Sequence, residues 1–73
     1  MDTFRDIIDA WPSAAEFARD VGTSGVNARG MRRDNRLPAN FWVEAIQKAE
    51  ERGIEGVTLE LLADIAANRT ATK

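Results

Sequence analysis

The sequence predicts an all-α fold, a compact bundle of five helices in one domain. Two observations carry that expectation. Apolar residues recur at three- and four-residue spacing along the chain, and no segment shows the sustained alternation of a strand. Helix starts and stops also punctuate the chain. Ser13, Ser24 and Thr58 suit N-caps, while Gly22, Asn35 and Gly53 suit the left-handed residue that ends a helix. The 73 residues have room for one small core and no second domain.

The first helix carries Phe4, Ile7, Ile8 and Trp11 on one face, with Arg5, Asp6 and Asp9 opposite, and Pro12 ends it. Ser13 and Glu16 have the spacing of a capping box for a short second helix, whose inward residues are Phe17, Ala18 and Val21. A third helix runs from about Gly25 to Asp34 behind the Ser24 cap. Pro38 suits the first turn of a fourth, with Phe41, Trp42, Ala45, Ile46 and Ala49 along its apolar face. In the fifth, after Thr58, Leu59, Leu61, Leu62, Ile65 and Ala66 span a wide apolar arc. The expected core is Phe4, Ile7, Ile8, Trp11, Phe17, Ala18, Val21, Ala28, Met31, Trp42, Ile46, Leu62 and Ile65. The domain is expected over residues 1–67, and residues 68–73, with nothing to pack, as a flexible tail.

Composition excludes several function classes. The chain has neither cysteine nor histidine, so disulfides, the usual zinc ligands and the commonest general base are missing. It has no glycine-rich phosphate loop, and its acids, Glu50 and Glu51 among them, fit a solvated surface. An enzyme is not expected, nor is a metal, a cofactor or a small-molecule ligand. No apolar run is long enough to span a membrane, and no signal-peptide pattern is present, so a soluble cytoplasmic protein is expected.

Charge is the informative property. The formal net charge is −2, but its distribution is uneven. Residues 1–23 carry five acids and two bases, residues 24–36 four arginines and one acid, and residues 37–73 six acids and four bases. A +3 segment therefore lies between two acidic ones. A patch of this size can meet phosphates if the acids lie elsewhere, with modest and salt-sensitive affinity.

The positive segment coincides with the second of two short helices joined through a glycine, the skeleton of a helix-turn-helix. Ala18 is small where the helices cross, Gly22 turns the chain, and Val21, Ala28 and Met31 close the core beneath. With Ala28 and Met31 inward, at about 100° per residue, Val26, Arg29, Gly30 and Arg33 point directly outward. Ser24, Gly25, Asn27, Arg32 and Arg36 flank them. Gly30 costs about 1 kcal/mol relative to alanine in a helix interior, and close approach of the backbone to DNA is one use for it.

Across residues 3–67 the chain resembles the lambda-repressor-like, Cro/cI-type helix-turn-helix proteins of phages and bacteria. The segment "GTSGVNARGMRRDNRLPANFW" is most similar to the small Cro-like subgroup that includes the YdaS proteins. There the recognition helix leads through an Arg/Asn-rich turn to an Ile/Leu-Pro and an aromatic helix. Where that subgroup often has valine and tryptophan, this chain has Ala28 and Met31. The resemblance implies a lambda-repressor-like bundle and a bacterial, cytoplasmic, sequence-specific DNA-binding regulator of transcription, usually a dimer.

Each candidate residue has a sharper and a blander reading. Arg29 is the candidate for a bidentate contact to guanine, or else a phosphate contact or a solvated arginine. Arg33 and Arg36 suit phosphate, and Arg32, nearer the core side, suits an acid within the chain. Asn27 suits adenine or a local cap, and Val26 a thymine methyl group or plain exposure. Ser24 suits a cap and an anion site together. Trp11 and Trp42 suit burial rather than base stacking. For the fifth helix, Leu59, Leu61 and Ile65, with Val57, are the candidates for a homodimer interface, which would place two third helices on an inverted-repeat operator of double-stranded DNA. A helix-turn-helix used for protein contacts, in an antirepressor or an adaptor for another regulator, is the alternative that the low overall charge keeps open.

Overall fold

The computed structural model describes residues 1–71, with side chains as far as Asn68. Five helices follow one another: α1 (Phe4–Asp9), α2 (Ala14–Val21), α3 (Gly25–Asp34), α4 (Trp42–Arg52) and α5 (Leu59–Ala71). There is no strand among the described residues, and the all-α, five-helix expectation holds. Hydroxyl side chains start four of the helices. Thr3, Ser13, Ser24 and Thr58 each accept from the backbone N–H three residues on, at 3.0–3.2 Å. Gly22 turns the chain at φ 82°, and the N–H groups of Gly22 and Thr23 both donate to Ala18 O at 2.9 Å. Asn35 does the same for α3 at φ 53°.

Two boundaries and one capping contact differ from expectation. Pro38 does not sit inside α4. Its ψ of 145° is extended, and a 3-10 turn (Ala39–Phe41) intervenes before the regular helix begins at Trp42. The capping box is half made, because the Glu16 carboxylate meets Arg52 Nη2 at 3.0 Å, a charged partner stronger than the Ser13 amide. The helix expected to end near residue 67 continues to Ala71, with each added residue extending a helix already nucleated. Residues 68–71 therefore belong to α5, and Thr72 and Lys73 lie outside the described residues.

The core contains eleven of the thirteen expected residues, together with Leu37, Ala45, Ala49 and Val57. Trp42 and Ile46 are only partly buried. The Trp42 indole N–H donates to Leu37 O at 2.8 Å, so the ring lies at the rim with its polar edge satisfied and its face 6.3 Å from Phe4. Trp11 meets Phe17 edge-on at 4.9 Å, and its indole N–H donates to Asp20 at 2.8 Å. Asp20 also accepts from Arg52, which thereby ties the end of α4 to α2. Those two hydrogen bonds, Arg52 first and Trp11 second, hold the Asp20 carboxyl below its usual range. On this frame α3 packs against α2 and α1, with its other side open.

Candidate nucleic-acid interface

The rotation of α3 is set by Ala28 and Met31, both fully buried under α1 and α2. Exposed positions follow from the helical period. Val26 is 73% exposed, Asn27, Arg29, Arg32 and Arg33 are exposed, and Gly25 and Gly30 are partly covered. At the start of the helix, Ser24 Oγ accepts from the Asn27 N–H at 3.0 Å, and Asn27 Nδ2 donates to Thr23 Oγ1 at 2.7 Å. The Asn27 amide is thus anchored in the turn.

Neither glycine of α3 is demanded by the fold. Both have negative φ. A methyl group on Gly25 would meet only Arg29 Nη1 at 3.5 Å, and one on Gly30 only Arg33 Nη2 at 3.7 Å, both ordinary contacts. Each glycine therefore lies beneath the guanidinium of an arginine one turn further on. Among the described residues nothing else lies within 4 Å of the position a side chain would take.

The four arginines do not share one situation. Arg29 has no acid partner among the described residues. Arg32 makes a two-pronged pair with Asp9 of α1, whose hydrogen bond stabilises the charged guanidinium. Arg33 Nε lies 3.2 Å from Asp34 Oδ1, and Arg36 Nε 3.8 Å from Asp34 Oδ2. The pairing foreseen for Arg32 is present, and two more accompany it.

Sequence reasoning missed Arg5, which it placed merely on the solvent side of α1. Arg5 Nε and Nη2 donate to the carbonyls of Arg32 and Arg33, each at 3.0 Å, and its backbone N–H donates to Asn35 Oδ1 at 2.9 Å. Arg33 O is among the last carbonyls of α3, which lack partners within the helix, Arg32 O also accepts from the Asn35 N–H at 3.2 Å, and a cation there opposes the helix dipole. Arg5 and Asp9 lie one turn apart on α1 and together hold the last turn of α3. Their four-residue spacing was visible in the sequence, but the helix they face was not.

The proposed dimer residues separate. Val57 and Ile65, 6% and 4% exposed, belong to the monomer's own core and are unavailable to a partner. The apolar arc of α5 packs in part on α4, and its residues Leu62 and Ile65 are buried in the core. Leu59 remains 61% exposed and Leu61 is partly covered. An open groove beside Leu59, lined also by Ile46, Ile54, Val57 and Glu55, went unforeseen. Among the described residues no helix is long and apolar enough to cross a membrane.

Compared with protein-family models, curated proteins and solved structures, the chain matches none.

Proposed function

We propose that this chain is a sequence-specific DNA-binding transcriptional regulator of the Cro/cI helix-turn-helix kind, which lays α3 in the major groove. The observation that carries this reading is the outward face of α3, where Gly25 and Gly30 lie among arginines although the fold does not require glycine there. Gly25 stands at the first helical position, but Gly30 is interior, where glycine costs about 1 kcal/mol relative to alanine. The missing side chain therefore answers to something outside the chain that approaches the backbone closely and is drawn to arginine. A nucleic-acid groove has both properties.

In this reading Arg29 reads a base edge, with Val26 beside it. Arg33 and Arg36 hold phosphates, helped by the amides behind Ser24. Asn27 fixes the turn, and Arg32, engaged by Asp9, orients the helix. The protein acts as a homodimer on an inverted repeat, with the two α3 helices about 34 Å apart and Leu59 and Leu61 at the contact. Sedimentation at micromolar concentration, with and without duplex DNA, tests the dimer, and a species that stays monomeric on DNA removes it.

One observation favours protein contact instead: three of the four arginines already engage acids of the chain. Salt-dependent retention on DNA separates the two readings. The decisive experiment titrates wild type, Arg29→Ala and Gly30→Glu on selected and random duplexes at several salt concentrations, with circular dichroism as the folding control. Gly30→Glu should stay folded and lose binding. Arg29→Ala should lose about 1–3 kcal/mol on the preferred site and relax one base pair. A folded Gly30→Glu that binds as wild type does refutes the assignment of α3.

A further inference from the structure

Asp34 is the last residue of α3, and among the described residues no other helix holds its carboxylate. The C-terminal end of a helix carries partial negative charge, which disfavours a carboxylate. The side chain is 48% exposed, and its ion pairs are with Arg33 and Arg36, both in the same segment. Exposed pairs of this kind add little to stability. The arrangement is nevertheless specific. One carboxylate oxygen faces Arg33 Nε and the other faces Arg36 Nε, at 3.2 and 3.8 Å. These are the two arginines assigned above to phosphate.

We propose that Asp34 is a positioning residue of the DNA interface: it occupies Arg33 and Arg36 in the free protein as an internal substitute for phosphate, and DNA must displace it. The inference rests on α3 being the DNA-facing helix. Its consequence lies in the ions. When the two guanidiniums move to DNA phosphates, counterions leave the DNA, but the vacated carboxylate gathers cations. Affinity for every sequence is lowered, and the salt dependence is shallower than two phosphate contacts would give. Arg29, with no acid partner among the described residues, stands outside this exchange. Asp34 therefore acts on backbone binding and leaves base preference unchanged.

The test compares wild type, Asp34→Asn, Arg33→Ala/Arg36→Ala and the triple variant on a random-sequence duplex, by fluorescence anisotropy over a series of sodium chloride concentrations. Glu55→Gln, which removes an acid from the loop before α5, is the control for net charge. Thermal melting accompanies each variant, and Asp34→Asn should melt no lower than wild type. Asp34→Asn should bind about three- to tenfold more tightly at low salt, with a slope steeper by about one unit. That gain should vanish in the Arg33→Ala/Arg36→Ala background and exceed the gain from Glu55→Gln. If wild type binds and Asp34→Asn matches it in affinity and slope, the inference is wrong and the reading of α3 stands. A gain that persists without the two arginines also overturns it, because the acid then acts only as a charge repelling DNA. If wild type fails to bind duplex DNA even at low salt, the reading of α3 fails and this inference with it.

Discussion

Helices α3 and α4 are nearly equal in length and both pack on a buried face containing alanine, but only α3 also carries glycine away from the core. In α4 the small residues point inward. Ala45 and Ala49 are essentially inaccessible, and their size lets α4 come close to the rest of the core. In α3 the inward residues are Ala28 and a large Met31, while Gly25 and Gly30 lie on the far face. An inward alanine is explained by its neighbours. An outward glycine in a regular helix, with only a guanidinium at ordinary contact distance among the described residues, is not required by its neighbours. The two helices thus separate what sequence owes to the fold from what it owes to the surroundings.

The comparison can be broken most easily at Ala45. Ala45→Leu forces extra carbons into a filled site and should lower the unfolding free energy by about 1–3 kcal/mol in urea denaturation. If it is tolerated as well as a substitution at Gly30, the distinction between the two faces is lost. The ends of the two helices offer a second contrast. α4 ends on Gly53, whose left-handed turn lets Ile54 N–H donate to Ala49 O at 2.8 Å, whereas α3 depends in addition on Arg5 from another helix. Arg5→Met keeps most of the aliphatic stem and removes the donors. It should cost about 1 kcal/mol and speed amide exchange in the last turn of α3 while leaving α4 unchanged.

Gly30→Ala sharpens the comparison in the opposite direction. Its methyl group meets an ordinary contact, so the variant should gain somewhat under about 1 kcal/mol of stability and melt higher. In the same preparation it should bind DNA more weakly than wild type. The smallest effect at neutral pH concerns Asp20, where Arg52 joins α4 to α2. Its carboxyl is held below the usual range, so its stabilising contribution is complete above the ordinary carboxylate pKa, about 3.9, and is lost as pH falls from there through the lowered folded value. The stability difference between wild type and Asp20→Asn should narrow over that acid interval, as thermal melting at stepped pH would record.

Helix starts and stops were legible because they are local. A hydroxyl at Ser13, Ser24 or Thr58 needs only the amide three residues on, and Gly22, Asn35 and Gly53 need only their own backbone. The rotation of α3 was legible too, since Ala28 and Met31 fix it through the helical period. What failed depends on neighbours distant in sequence. The local rule paired Glu16 with Ser13, but Arg52, at the far end of α4, competes for the carboxylate. Periodicity measures the width of the α5 arc without showing what covers it, so it offers Val57 to a partner and Ile65 both to the core and to a partner, although their own chain buries both. Charge located the arginine face, yet neither the Asp34 pairs nor the Arg5 bonds could be read from composition.

The bonds from α1 to α3 also divide the chain by distance along it. The pairing of α2 with α3 through Gly22 joins neighbours in sequence, whereas the Arg5 and Asp9 bonds close loops of 23 to 30 residues. Short loops close at lower entropic cost, so the helical pair is expected to assemble early and the clamp on its last turn late. The same order runs backwards when the native state opens. Loss of those bonds alone frees the carbonyls of Arg32 and Arg33 while Ala28 and Met31 stay buried, which makes the arginine-bearing end of α3 the first part of this surface to lose its shape.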